Sequence, residues 1–146
     1  MSSVALLPVV EGVIRFWQQD GIPLLAPMDP VAVRGELSKT GQRYSDDVVD
    51  LYSITGGMAN DEMDSHCFSM WAFKKVISIN KERSYLAFAD FLIDSHSYGF
   101  VYESKARSKV CIDYGKHGTE LEIITESVEE FFQRYLFDPR SLCLLT

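Results

Sequence analysis

From Tyr85 to Ser104 the chain reads YLAFADFLIDSHSYGFVYES, two apolar runs parted by Asp94, Ser95, His96 and Ser97. The parting residues favour local side-chain hydrogen bonds and turns, so the stretch specifies a β-hairpin. Its first run, Tyr85 to Ile93, is apolar at nearly every position, as in a strand covered on both faces. In the second, Tyr98, Phe100 and Tyr102 alternate with smaller or polar neighbours. The hairpin is therefore expected in mid-sheet. Asp90 interrupts the first run with a charge, which assigns it to an open face, a sheet end or a hydrogen-bond partner.

The flanking segments supply the cover. A helix is expected over 9–20, with Val10, Val13, Ile14 and Trp17 at helical spacing and Gly21 as a C-terminal cap. The proline-containing segment Ile22 to Met28 reads as an extended connector. Asp29 then caps a second helix with Pro30 at its first position, Val33 and Leu37 on its apolar stripe, and Gly41 at its end. Ser45, Asp46 and Asp47 start a third, which runs to about Thr55 with Val48, Leu51 and Tyr52 inward and Gly56 and Gly57 as a cap or tight turn. Phe68 to Trp71 reads as a short strand, followed by helical turns carrying Phe73, Val76 and Ile77 inward and Lys74 and Lys75 to water.

After the hairpin, Lys109 to Asp113 is a strand, 115–118 a turn, and Leu121 and Ile123 alternate with Glu120 and Glu122 in a last strand. Ser127 and Glu130 form a capping box that opens a closing helix at 127–137, with Val128, Phe131, Phe132, Tyr135 and Leu136 on one face. Asp138 and Pro139 stop it. Strands and helices segregated in this way point to an α+β fold, a mainly antiparallel sheet of about four or five strands with helices packed on one side. The 146 residues suit a single domain.

Composition bears on function mostly by exclusion. Fourteen basic against twenty-one acidic side chains give a net charge of −7, which argues against phosphate-driven nucleic-acid binding. The apolar stretch Val4 to Val10 is too short to span a bilayer and lacks a basic flank, so a cytoplasmic protein with no membrane association is expected. Cys67, Cys111 and Cys143 are widely spaced, outside any CxxC, and read as small apolar fillers.

Candidate chemistry concentrates in the polar loop ANDEMDSHC, Ala59 to Cys67. Asp61, Glu62, Asp64 and His66 are ligand types, yet their spacing fits neither an EF-hand loop nor an HExxH helix, so no metal is assigned. No GxxxxGK[ST], GxGxxG or GxSxG occurs, which leaves no cofactor and no nucleophile to name. His66, His96 and His117 are scattered over turns and loops and read as surface residues. No enzyme is expected, a small hydrolase built on paired carboxylates being the residual alternative. Nothing in the pattern assigns an oligomeric state.

The segments DDVVDLYSITGG, FSMWAFKKV, YLAFADFLIDSHSYGFVY and SVEEFFQRYL, in this order, resemble the SUKH superfamily of the Smi/Knr type. The resemblance covers about Val31 to Leu136 and leaves the N-terminal helix outside. One departure is plain: a Leu-Pro pair usual before the glycine-ended helix is replaced by Tyr44 and Ser45. What the resemblance implies is a protein-binding domain. Bacterial members are immunity proteins that occupy a cognate toxin, often a nuclease, and eukaryotic relatives are regulatory scaffolds. The family supplies no shared catalytic residues. An acidic protein suits a basic toxin, so the expected contact residues are Asp61, Glu62 and Asp64 in the loop and Asp90 and Asp94 at the hairpin. Tyr98 and Tyr102 are the expected aromatic anchors. A small-ligand or peptide-binding domain is the alternative, to be favoured by a concave apolar pocket.

Overall fold

The computed structural model describes residues 6–80, 85–93, 95–115 and 121–144. Asp94, His117, Glu120 and most of the turn expected at 115–118 lie outside these. The fold is α+β. Helices α1 (Leu6–Gln19), α2 (Pro30–Ser38) and α3 (Asp46–Ile54) precede strand β1 (Phe68–Met70) and helix α4 (Phe73–Ile79). Strands β2 (Leu86–Phe91), β3 (His96–Tyr102), β4 (Ser108–Asp113) and β5 (Glu122–Thr125) follow, then helix α5 (Val128–Phe137) and a 3-10 turn at Pro139–Leu142. The sheet is an antiparallel meander in the order β1-β2-β3-β4-β5. Among the described residues no helix is long and apolar enough to cross a membrane.

One sheet face is aromatic and meets α5. Phe88 stacks on Phe100 with centroids 4.1 Å apart, and Phe131 of α5 meets both Phe88 and Tyr98 edge-on. Helix α1 packs on α5 and α3, with Val10, Val13 and Trp17 buried. On the far side of β2 from β3, beyond the end of β1, Asn80 takes the place of a strand. Its side chain accepts from Ala87 N–H and donates to Ala87 C=O, both at 2.8 Å, and so pairs backbone groups that would otherwise be orphaned. The opposite face is covered by a side chain: the Tyr85 ring lies on Gly99, where a Cβ would approach Tyr85 Cδ2 to 2.2 Å, and the Tyr85 hydroxyl donates to Asp113.

Several local expectations are corrected. Within the described residues α1 already includes Leu6, which joins the same buried stripe. Ser45 is extended at the start of α3 but does not cap it; its hydroxyl donates to Asp47 and lies 2.6 Å from Ser108 Oγ, tying the helix to β4. Helix α3 ends at Thr55 in an extended conformation. Gly57 has the expected positive φ of 95°, and both glycines also permit close passage of two backbones: a Cβ would meet Ala26 O at 2.6 Å and Trp71 O at 2.3 Å respectively.

The first strand of the hairpin stops at Phe91, and Leu92 and Ile93 form the turn with φ of 47° and 51°. In β5, Glu122 and Ile123 are both exposed. Glu130 accepts from Glu126 N–H while Ser127 caps Glu130 N–H, a capping box shifted by one donor. Only Cys111 is a buried filler; Cys67 is half-buried and Cys143 exposed.

The Gly99→Ala substitution is expected to push the Tyr85 ring off the sheet and break its bond to Asp113. The predicted cost is about 1–3 kcal/mol, the usual range for overpacking, read from urea unfolding. The same change in a Tyr85→Ala background should cost much less, and equal costs in the two backgrounds would refute the contact.

Candidate functional site

Asp64, expected in a solvated loop, is an interior residue at 5% exposure. Its Oδ1 accepts from the backbone N–H groups of His66 (2.8 Å) and Phe68 (3.1 Å). Its Oδ2 accepts from Trp17 Nε1 (3.0 Å) and from the Tyr135 hydroxyl. Burial pushes its carboxyl above the ordinary value of 3.8, against hydrogen bonds that pull it down. The residue is a structural knot, and it is removed from the set of surface contacts.

Tyr98 is likewise corrected. It is fully buried on the helix face, where its hydroxyl donates to Leu142 C=O at 2.6 Å and lies 2.9 Å from His96 Nε2. His96 is itself buried and stacked on Phe91, and burial lowers its pKa from the usual 6.5. His66 stacks on Phe16. Tyr102 is half-buried beneath the Arg43 guanidinium, 4.2 Å from the ring centroid, and lines a separate cavity of about 380 Å³.

The remaining acids converge on the other face of the sheet. Register carries Ser69 to Asp90, Asp90 to Ser97 and Ser97 to Asp113. Strand side chains alternate in direction, so these four form a polar row across β1 to β4. The adjoining row of Met70, Ala89, Tyr98 and Ile112 points to the helices. Above the polar row, Trp71 Nε1 donates to Asp90 Oδ2 at 3.0 Å. Lys75, in the first turn of α4, sets its ammonium 4.6 Å from the Trp71 ring centroid and 3.1 Å from Asp61 Oδ1.

Lys75 lines cavities on both sides of itself. One, about 130 Å³, is walled by Asp61, Met63, Ser69, Asp90 and Ile93. The other, about 270 Å³, includes Trp71, Ser97, Asp113 and Tyr114. The left-handed turn holds Ile93 at the rim of the smaller cavity with 82% of its surface exposed, beside exposed Met63 and Leu92. A β-branched residue at positive φ is unusual, and such strain concentrates where function holds it. Carboxylate and hydroxyl acceptors with an aromatic face complement a cationic head, and the exposed Met and Ile side chains complement an aliphatic stem.

Of the expected contact residues, the structure brings exposed Asp61 and buried Asp90 to the walls of one cavity, with Glu62 half-buried next to Asp61. Trp71, Lys75, Ser97 and Asp113 join them and were not singled out from the sequence. In the sequence Ser97 sits in the turn segment that parts the two apolar runs, so only strand register aligns it and Asp113 with Asp90. Elsewhere, an apolar groove of about 620 Å³ runs between the connector, α2 and α4, walled by Met28, Phe73 and Ile77 with Glu36 and Lys74 at its rim. Among the described residues no group of three or more His, Cys, Asp or Glu side chains is placed to hold a metal ion. No protein-family model matches the chain, and no curated protein matches its sequence.

The pKa of Asp64 sets a test of the knot. Because the folded carboxyl binds its proton more tightly than the unfolded one, its contribution is complete below about pH 3.9 and is lost as pH rises through the folded value. The Asp64→Asn variant lacks this loss. Its stability relative to the parent, measured by urea unfolding from pH 4 upward, is expected to rise with pH, whereas parallel profiles would contradict a desolvated Asp64.

Proposed function

We propose that the chain is a non-catalytic protein-binding domain of SUKH type, an immunity protein that acts in the cytoplasm by occupying a basic bacterial toxin. The observation that carries the reading is exposed Asp61 beside exposed Met63, Leu92 and Ile93, set over a polar row in which Ser69 and Asp90 are buried and Ser97 and Asp113 half-buried. Acid beside exposed apolar surface suits a basic partner: charge steers the encounter, and apolar contact holds it. The family part of the reading rests on the resemblance over 31–136. The net charge of −7 supports the sign of the partner. A nuclease is the toxin class that fits best, since it must present a basic surface to phosphates.

A second reading, a small-ligand or peptide-binding regulatory domain, is favoured by one observation. The groove of about 620 Å³ falls inside the range of about 300–1,000 Å³ usual for ligand pockets, with mostly apolar walls.

Affinity capture of the tagged protein from its native host, at low and moderate salt, separates these readings. The expected result is one stoichiometric basic protein whose retention falls with salt. With that partner in hand, the Asp61→Lys/Glu62→Lys double variant is expected to slow association about ten-fold or more and to change dissociation less. Association unaffected by the double variant would take this face out of the interface.

A further inference from the structure

The cleft above the polar row already holds a cation. Lys75 stands between its two lobes, on the Trp71 face and against Asp61. An ammonium within about 6 Å of a tryptophan centroid is attracted by the ring. Trp71 is fixed in turn by its bond to Asp90, which is 6% exposed. Lys75 is held loosely, because Asp61 is 72% exposed at the side chain and such an ion pair is worth only about 0–1 kcal/mol. The two cavities meet at Lys75, whose own side chain spans from the Trp71 ring to Asp61, so one side chain is the natural occupant.

We propose that this cleft is a socket for a single arginine or lysine of the partner protein, with Lys75 as the resident cation that the incoming group displaces. The inference rests on the partner-binding reading above and names its point of contact. The incoming guanidinium or ammonium takes Asp61 and the Trp71 face, and its aliphatic stem packs on Met63 and Ile93. Displaced, Lys75 turns to solvent, which its half-buried position on α4 allows.

The chain carries its own reporters. It has two tryptophans, Trp71 in the socket and Trp17 in the Asp64 knot. The probe is acetyl-Gly-Arg-Gly-amide, titrated to millimolar concentration into ¹⁵N-labelled full chain, with the neutral citrulline peptide as control. The Trp71 indole N–H resonance is expected to move saturably with the arginine peptide alone, while that of Trp17 stays in place and reports an intact fold. Lys75→Gln should tighten binding by up to about five-fold, the equivalent of the lost ion pair, and Asp61→Asn should weaken it. A still Trp71 resonance in the Lys75→Gln variant, or equal shifts with the citrulline peptide, would overturn the socket. If a basic partner is captured and Trp71 stays still, the socket fails alone; if the peptide seats and no basic partner is found, the socket stands and the toxin reading falls.

Discussion

Everything else in the structure is built outward from one buried carboxylate. Asp64 gathers an indole from α1, a phenol from α5 and two backbone donors from the turn into β1. Helices at the two ends of the chain are thereby fastened to one edge of the sheet. No hydrophobic contact would fix that geometry as narrowly, because apolar packing is non-directional, whereas each lost acceptor here leaves a buried donor costing about 1–3 kcal/mol. The knot also sets the phase of β1. With Phe68 directed inward onto Tyr98 and Phe131, Ser69 must face the other way, and the polar row starts there.

The two sheet faces then diverge in chemistry. The helix face is closed by interlocking rings from Phe68, Phe88, Phe100 and α5. The other face has thin cover: a tyrosine ring on Gly99, an indole on Asp90 and the end of α4. A charge such as Asp90, only 6% exposed, is tolerable there because Trp71 supplies a directed donor. The row is rigid because it lies on paired strands, with Ser69 and Asp90 buried and Ser97 and Asp113 half-buried. Side chains held by a ladder keep their positions better than those on a loop, which is what recognition of a fixed partner geometry needs.

Much of the fold was legible in the sequence because most elements are local. The order of helices and strands, the Asp29 cap and the Ser127 cap all follow from periodicity and from residues three or four apart. Legibility ended where distant residues decide. Asp64 looked solvated because its tyrosine and tryptophan partners lie 71 and 47 positions away. Ser45 looked like a cap, yet Ser108, 63 positions on, engages its hydroxyl. Leu92 and Ile93 looked like strand because hydrophobicity is a poor guide to the sign of φ. The site suffered most. A polar row across four strands depends on three registers at once, and a slip of one residue in any of them would turn half the row inward.

Lys75 gives the acidic face a second property beyond attraction. A net charge of −7 draws any basic protein, and long-range attraction alone discriminates poorly among them. Discrimination comes from what is left unsatisfied when a wrong partner covers the cleft. With Lys75 in place, the Trp71 face and Asp61 have a cation in the unbound protein. A partner that covers the cleft without offering its own cation must desolvate this pair in full, and burial of an ion pair tends to cost more than its Coulomb attraction returns. A partner that offers arginine releases the ammonium to water and fills the same positions with a planar, more weakly hydrated head. On the proposed partner-binding reading, the resident lysine lowers affinity for every partner and lowers it least for one with a basic side chain at the right point, which converts a general acidic surface into a selective one.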